Sequence, residues 1–265
     1  MSNHVDLYNS TYGNFKEQVL AAVRQETYGE DIGQNSWITT DEYDIFYSWL
    51  DLSRGDAVLE IASGSGGPAL YLAKKFGCQI TGLDINEEGI KTANQHAVDE
   101  NIANATFQLV DVNLGLPFEN ETFDAIMCMD SMNHFRDRLG YLREWQRVLK
   151  PGRRALFTDP VVITGPVSNE ELAARSSIGY FLFVPLDVTR GLIEQAGFKL
   201  LRCEDVTGNI EVTSGRWHAA RQRHRADLIQ IEGAERFEGL QKFLSTVHGL
   251  TSERRLSRFV FLVEK

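Results

Sequence analysis

Apolar runs and amphipathic stretches alternate regularly between residues 57 and 159. Short, mostly apolar runs predict β-strands, and they occur at AVLEIA (57–62), CQITGLDI (78–85), ATFQLV (105–110), FDAIMCM (123–129) and RRALFTD (153–159). Stretches between them have helical spacing, as in PALYLAKKF (68–76) and in residues 137–149. Strands that alternate with helices at this spacing predict a doubly wound α/β fold with a parallel sheet.

The pattern changes on both sides of this region. Helical patterns precede the first strand at residues 15–27 and 41–50, and residues 209–248 are also mostly helical. Two further apolar patterns predict strands at residues 199–206 and in the final run, RLSRFVFLVEK. Together these elements predict a mostly parallel sheet of seven strands with additional helices.

These changes divide the chain into two predicted parts. Residues 1–52 form an N-terminal helical lid, and residues 53–265 form the α/β domain, with helical cap insertions at about 161–184 and 208–250. In open α/β sheets, ligands bind beyond the carboxyl ends of the strands. We therefore expect the insertions to cover a ligand site.

Three glycines in four positions, GSGG (64–67), follow the first predicted strand. A glycine turn between a strand and a helix lets a ligand approach the backbone and meet the helix amino end. A tight turn without a ligand is the alternative. Gly64, Gly66 and Ala69 fit the spacing of dinucleotide-binding turns, which would imply a hydride-transfer enzyme. Glu60, however, would repel a pyrophosphate and suits a ligand with an ammonium group.

Two more carboxylates end the next two predicted strands. Asp84 ends the second strand, where a carboxylate can bind two ribose hydroxyls. Asp111 ends the third strand, where it or a neighbouring backbone group can meet an adenine edge. An ammonium group, a ribose and an adenine together describe S-adenosylmethionine.

The segment EIASGSG (60–66) resembles the glycine motif of class I S-adenosylmethionine-dependent methyltransferases, with Ala62 at the position of the first glycine. The stretches LPFENETFDAI (116–126) and VLKPGRRALFTDP (148–160) also resemble this family. The resemblance implies a Rossmann-like methyltransferase fold, S-adenosylmethionine as cofactor and S-adenosylhomocysteine as product. It implies these cofactor-binding residues: Glu60, Ala62, Gly64, Gly66, Asp84, Ile85, Asp111, Val112 and Met129.

The loop after the fourth strand, MDSMNHF (129–135), carries Asp130 and His134 four residues apart. They share a face if the loop begins a helical turn, and histidine is the usual general base near neutral pH. This pattern resembles the small-molecule N-methyltransferases that act on phosphoethanolamine, sarcosine and dimethylglycine. We expect His134 to be the catalytic base, assisted by Asp130. The alternative is that His134 caps the following helix or packs.

The same resemblance extends to YGEDIGQNSW (28–37), a segment that folds over the cofactor in those enzymes. It makes Tyr28, Ser36 and Trp37 cofactor-side candidates, although core packing is the alternative for the two aromatic residues. Tyr8 and Tyr12 could come from the lid, and Tyr12 is taken as a substrate-side candidate.

Substrate candidates also occur in both cap insertions. Tyr180 falls where phosphoethanolamine enzymes have a substrate tyrosine, but Ile178 replaces the arginine of those enzymes. Arg175 could take the place of that arginine only if a helix bends suitably. The apolar stretch GYFLFVP favours a bulkier, partly apolar substrate. Arg216 begins RWHAARQRHR (216–225), which is either an anion clamp or a solvated helix face.

Composition narrows the range of functions. The 265 residues carry a net charge of −10, which argues against general binding to nucleic acid or to anionic membranes. The three cysteines show no metal spacing, and no secretory signal or membrane-spanning run is visible, so we expect a cytoplasmic protein without a metal site. No pattern indicates an oligomeric state.

The expected function is methylation of a small molecule at an amine nitrogen. The alternative is O- or C-methylation of a natural-product or lipid-like substrate. A nicotinamide oxidoreductase and a non-catalytic cofactor binder are further alternatives.

Overall fold

The fold is an α/β sandwich around one seven-stranded sheet. The computed structural model describes residues 5–265. Its strands run in the order β3-β2-β1-β4-β5-β7-β6, with β7 antiparallel to both of its neighbours. This confirms the expected doubly wound, mostly parallel sheet. The strands are β1 (Ala57–Ile61), β2 (Gln79–Asp84), β3 (Ala105–Leu109), β4 (Phe123–Cys128), β5 (Leu149–Ile163), β6 (Lys199–Asp205) and β7 (Leu256–Glu264).

Helices pack on both faces of the sheet and extend beyond it. Two apolar clusters, one on each face, bury the sheet. A third cluster joins helices that lie outside these two layers, and it includes Trp37, Ile178 and Trp217. The helices are α1 (Tyr8–Gly13), α2 (Gln18–Tyr28), α3 (Thr40–Trp49), α4 (Gly67–Phe76), α5 (Glu87–Asp99), α6 (Arg138–Val148), α7 (Asn169–Arg175), α8 (Leu186–Gln195), α9 (Thr207–Arg223), α10 (Arg225–Glu232) and α11 (Ala234–Ser252). None of the helices described over residues 5–265 is both long enough and apolar enough to cross a bilayer.

Local sequence explains where the helices next to the glycine turn begin and end. Gly66 precedes α4 with a φ of 77°, and Pro68 occupies the first turn, where its missing N–H costs nothing. Gly77 ends α4 in the left-handed region. Asn86 caps α5 by accepting a hydrogen bond of 2.8 Å from the Gly89 N–H. These signals place the amino ends of α4 and α5 beside the carboxyl ends of β1 and β2.

The fifth strand is longer than the sequence predicts. The apolar pattern predicts a strand at 153–159, whereas β5 runs from Leu149 to Ile163. Its pairing with β7 shifts register between Asp159 and Val162. Pro160 lies at this irregularity, where the missing N–H interrupts no regular ladder bond. The extension carries the chain directly into the first predicted cap insertion.

A buried arginine joins four separate parts of the fold. Arg258 of β7 is fully buried and bonds Asp130 Oδ1 at 2.6 Å through Nε. Its Nη1 donates to both carboxylate oxygens of Glu42 in α3, at 2.8 and 2.7 Å. Asn209 of α9 donates to the same Glu42 at 2.6 Å. The sheet, α3, α9 and the loop after β4 are therefore held by one charged cluster.

Replacing this arginine tests the cluster. Arg258→Met leaves two buried carboxylates without a counter-charge, so we expect the free energy of unfolding to fall by about 3–5 kcal/mol in urea denaturation. The control is Arg225→Met, which removes an exposed ion pair with Glu238 and should leave stability nearly unchanged. Equal losses in the two variants would show that the buried cluster contributes nothing specific.

Candidate functional site

A cavity of about 350 Å³ lies at the carboxyl ends of β1, β2, β3 and β4. Two groups of residues line it. The acidic part comprises Glu60, Asp84 and Asp111 at the ends of three strands. The aromatic chamber comprises Trp37, Arg175, Phe181, Trp217 and Phe243, which come from outside the sheet. Other lining residues include Tyr8, Tyr12, Ser36, Ala62, Gly64, Ile85, Val112, Met129, Asp130, Asn133, His134 and Ile178.

The glycine turn has the backbone conformation that its composition requires. Ala62, Gly64 and Gly66 all have positive φ, at 59°, 54° and 77°. Ala62 therefore occupies a left-handed position that glycine adopts more easily. A Cβ on Gly67 would overlap the carbonyl oxygen of Ile32, so the segment of residues 31–37, here called the strap, packs directly on the turn.

Glu60 is a buried carboxyl group without a partner. Glu60 is only 4% exposed, and its Oε2 has no hydrogen-bond partner within residues 5–265. Burial, with a smaller contribution from the charge of Asp84, raises the pKa of Glu60 to about 8. A ligand ammonium group would supply the missing counter-charge. The acidic part therefore fits the amino-acid end of S-adenosylmethionine.

The other two acids retain acceptor capacity. Asp84 accepts the Gly64 N–H through Oδ2 at 2.8 Å and the Asn86 N–H through Oδ1 at 2.7 Å. A carboxylate offers about four acceptor positions, so positions remain for two ribose hydroxyls. Asp111 uses Oδ1 for the Asn113 N–H at 3.0 Å. Beside these acids, Ile85 is 64% exposed and available to a flat adenine ring.

The strap brings Ser36 and Trp37 to the cavity, but Tyr28 does not reach it. The backbone N–H of Trp37 donates to Asp130 Oδ2 at 2.9 Å. The Ser36 hydroxyl is buried without a partner in the described chain. Tyr28 is buried instead against Trp217, and its hydroxyl donates to the Ser36 carbonyl at 2.7 Å. Tyr28 was expected to contact the cofactor, but its hydroxyl instead bonds the strap.

Gly66 and Tyr12 also have positions that differ from expectation. Gly66 does not line the cavity, and a Cβ there would lie 2.8 Å from Ala93 and from Phe107. Its role is close packing of the turn against α5 and β3. Tyr12, expected at the substrate, lies on the glycine turn, since a Cβ on Gly64 would be 2.5 Å from its hydroxyl. Tyr12 therefore borders the acidic part of the cavity.

Asp130 and His134 do not contact each other. The segment Met132–His134 forms a 3₁₀ turn, so residues four apart do not share a face as they would in an α-helix. Asp130 is 3% exposed at its side chain and bonds Thr158, Arg258 and the strap. The expectation that Asp130 assists His134 is wrong, because its oxygens are used by these other groups.

His134 is bonded at both ring nitrogens. Nδ1 is 2.8 Å from the carbonyl oxygen of Tyr180, and Nε2 is 3.0 Å from the hydroxyl of Tyr8. A carbonyl only accepts, so Nδ1 carries the proton and the Tyr8 hydroxyl donates to Nε2. Burial lowers the pKa of His134 to about 4, the Tyr180 carbonyl opposes this shift, and the charge of Arg175 adds to it. The imidazole is therefore neutral at physiological pH.

Two expected substrate residues lie outside the cavity. Tyr180 is 45% exposed, and its ring centroid lies 4.8 Å from the guanidinium carbon of Arg136. Tyr180 contributes only its carbonyl, to His134. Arg216 is exposed on α9, whereas the next residue, Trp217, lines the cavity. Successive helical residues point about 100° apart, so Arg216 does not form an anion clamp over the cavity and lies on the exposed helix face, as in the alternative interpretation.

Several lining residues were not assigned from the sequence, among them Tyr8, Phe181 and Phe243. Tyr8 was a lid residue without a role, although it bonds His134. Phe181 and Phe243 line the aromatic chamber, and the only signal for Phe181 was the apolar stretch GYFLFVP. Within the described chain, no group of three or more His, Cys, Asp or Glu side chains could hold a metal ion.

Comparison with known proteins agrees with the fold. Residues 52–178 match a family model described as a methyltransferase domain. The chain is 28% identical over 254 residues to 27-O-demethylrifamycin SV methyltransferase of Amycolatopsis mediterranei, which covers 91% of this chain and 87% of the relative. It is 31% identical over 195 residues to glycine/sarcosine/dimethylglycine N-methyltransferase of Actinopolyspora halophila, covering 70% of this chain but only 33% of that protein.

A solved structure shows the same fold. Phosphoethanolamine N-methyltransferase 2 of Haemonchus contortus, in complex with phosphomonomethylethanolamine and S-adenosylhomocysteine, superposes with a TM-score of 0.81 at 19% identity. The match covers 97% of this chain and 60% of that one.

The fold, the acidic part and these matches define an S-adenosylmethionine-dependent methyltransferase. Residues 52–178 match the methyltransferase-domain family, and the protein is a methyltransferase that uses S-adenosylmethionine as its methyl donor. The recognition made from EIASGSG and the strand-end acids is confirmed.

The raised pKa of Glu60 predicts pH-dependent cofactor binding. An ammonium group lowers the pKa of Glu60, so the complex binds fewer protons than the free protein and affinity rises with pH. Between pH 6 and 7, below the pKa of about 8, we expect the dissociation constant of S-adenosylhomocysteine to fall about tenfold, as measured by calorimetry.

Adenosine, which lacks the amino-acid end, is the control ligand and should show no comparable slope. Glu60→Gln should bind S-adenosylhomocysteine more weakly and with a flat profile. A flat profile in the unaltered protein, or an unchanged slope in Glu60→Gln, would contradict the assignment of Glu60 to the ammonium group.

Proposed function

We propose that this enzyme methylates an amine nitrogen of a small molecule. The observation that carries the proposal is the Tyr8–His134 hydrogen bond in the wall of the cavity. An amine attacks only in its neutral form, so a proton acceptor is needed close to it. S-adenosylmethionine supplies an electrophilic methyl group on a sulfonium sulfur. The chain's own residues then have to bind, orient and deprotonate the acceptor.

Tyr8 and His134 can act as one proton relay. The acceptor gives its proton to Tyr8 Oη while Tyr8 gives its own proton to His134 Nε2. The imidazolium that forms is held by the Tyr180 carbonyl at Nδ1. Burial raises the pKa of Tyr8 far above its usual range, so a free tyrosinate does not accumulate and the two transfers must be concerted. The low pKa of His134 keeps the empty relay neutral at physiological pH.

We assign the cofactor residues by the groups they can bind. Glu60 binds the ammonium group, Asp84 the ribose hydroxyls, and Asp111 with Val112 the adenine. Ala62 and Gly64 supply the backbone of the turn, and Ile85 and Met129 line the same cavity. This assignment is supported by the unpartnered Oε2 of Glu60 and by the free acceptor positions of the other acids.

We also propose that residues 1–52 act as a lid on the methyltransferase domain, residues 53–265. Cap insertions at about 161–184 and 208–250 would close the acceptor side. Lining residues from α1, α7, α9 and α11 support this division. Exclusion of water by the lid and caps strengthens the charge interactions inside the cavity.

A small-molecule acceptor and a cytoplasmic location complete the proposal. The net charge of −10 disfavours nucleic acid as an acceptor. Cys78, Cys128 and Cys203 are free thiols, which is usual in the reducing cytoplasm.

Oxygen methylation is the second candidate. It is favoured by the rifamycin relative, named as a 27-O-demethylrifamycin SV methyltransferase, because that match covers most of both chains. The Tyr8–His134 relay can deprotonate a hydroxyl as well as an amine. Pairs of acceptors with the same scaffold and either an amino or a hydroxyl group separate the two candidates when the products are analysed by mass spectrometry.

Variants of the relay test the mechanism. We expect His134→Gln and Tyr8→Phe each to lower kcat by about 10²-fold or more on any accepted substrate, because general-base catalysis contributes about 10²–10⁴-fold. The affinity for S-adenosylhomocysteine should stay within about twofold. The double variant should resemble the single ones, since the two groups act as a unit. S-adenosylhomocysteine release is the assay.

The control is His248→Gln, an exposed histidine on α11. It should keep full turnover. Turnover unchanged in His134→Gln, or losses that multiply in the double variant, would contradict a shared relay.

A further inference from the structure

Arg175 is a buried cation that has no anionic partner. It ends α7, is 2% exposed and lines the cavity. Its guanidinium carbon lies 4.9 Å from the ring centroid of Phe181, 5.2 Å from that of Phe243 and 5.8 Å from that of Trp37. Its side chain forms no hydrogen bond or ion pair with any residue from 5 to 265. Aromatic faces attract the charge but cannot replace an oxygen acceptor for its N–H groups.

The carboxylates near Arg175 are already paired with other arginines. Asp130 bonds Arg258 at 2.6 Å, and Asp159 bonds Arg138 at 2.6 Å. Burial lowers the pKa of Arg175 to about 10, which still leaves the side chain cationic at neutral pH. Buried charges in proteins are normally paired. The two paired arginines therefore hold the fold, whereas Arg175 keeps its donors free beside the cavity.

We propose that Arg175 binds an anionic group of the methyl acceptor, and that this acceptor is a monoanionic acid with a flat apolar body. The inference rests on the proposed function and specifies its substrate class. A guanidinium presents paired N–H donors in the geometry of a carboxylate. Arg175 is the one arginine among the described lining residues, which include no lysine. This favours a single carboxylate over a phosphate dianion.

The walls around Arg175 fit the rest of such an acceptor. Trp37, Phe181, Trp217 and Phe243 form most of the aromatic chamber, and Leu7 and Ile178 extend its apolar surface. Flat apolar molecules pack well on aromatic side chains. A very polar acceptor of a few atoms would leave these walls without a partner. The position of Arg175 among the rings therefore combines an anion anchor with an apolar binding surface.

An anion at Arg175 would also act on the proton relay. The charge of Arg175 contributes to the low pKa of His134. A carboxylate bound to Arg175 compensates that charge and makes His134 a stronger base when the acceptor is in place. Neutral acceptors lack this effect. The anchor therefore gives a selectivity for acids in turnover as well as in binding.

Matched acids and amides test the anchor without knowledge of the natural acceptor. The probes are benzoate, 2-naphthoate and biphenyl-4-carboxylate, each paired with its carboxamide and titrated calorimetrically into the full chain with S-adenosylhomocysteine present. We expect at least one acid to bind about tenfold or more tightly than its amide. Arg175→Met should abolish this difference, and Arg143→Met, a change at an exposed arginine of α6, should retain it.

Failure of every acid to bind more tightly than its amide would overturn the inference, as would an acid preference that survives in Arg175→Met. The titrations are repeated without S-adenosylhomocysteine. If the unaltered protein does not bind S-adenosylhomocysteine, the proposed function is contradicted. The comparison of acids with amides would still decide the role of Arg175.

Thermal unfolding gives a second test that needs no ligand. An unpaired buried charge destabilises a fold, so Arg175→Met should raise the unfolding temperature of the ligand-free protein, whereas Arg258→Met should lower it. A fall in Arg175→Met comparable with that in Arg258→Met would show a structural role for Arg175 and overturn the inference.

Discussion

The pairing of buried charges is the constraint on which this structure depends. Arg258 joins Asp130 to Glu42, and in this way it fixes the strap, the loop after β4 and the helices above them. Two buried groups do not follow this rule. Glu60 and Arg175 line the same cavity, and neither has a partner in the described chain. The molecule pairs the ionisable groups that hold its shape and leaves unpaired the two that can meet ligands.

The parts of the site encoded by short segments could be predicted from the sequence. The strand, glycine turn and helix at residues 57–76 are local, and so are Asp84 and Asp111 at strand ends. Predicting each of these features requires only the assumption that a strand ends at the last residue of its apolar run. The family resemblance of YGEDIGQNSW (28–37), and not strand pattern, placed Trp37 and Ser36 in a segment over the cavity. A parallel sheet then brings the strand ends together without further information.

Contacts between distant segments could not be predicted in this way. The segment YNSTYG of α1 has no apolar periodicity, so nothing indicated a helix that brings Tyr8 to His134, 126 residues away. The spacing of Asp130 and His134 suggested a shared α-helical face, but the chain forms a 3₁₀ turn there. Charge drew attention to Arg216, although rotation by one helical position places its neighbour Trp217 in the cavity. Arg258 lies in an apolar strand that gives no sign of its carboxylate partners.

The short helix α1 has a consequence for the order of events in the reaction. Tyr8 and Tyr12 are one turn apart on it, with ring centroids separated by 6.2 Å. Tyr12 covers the glycine turn, and Tyr8 completes the bond to His134. Any displacement that uncovers the turn for exchange of the nucleoside also dismantles the relay. In the proposed mechanism, loading and deprotonation are thus mutually exclusive in time, and an open enzyme is chemically silent.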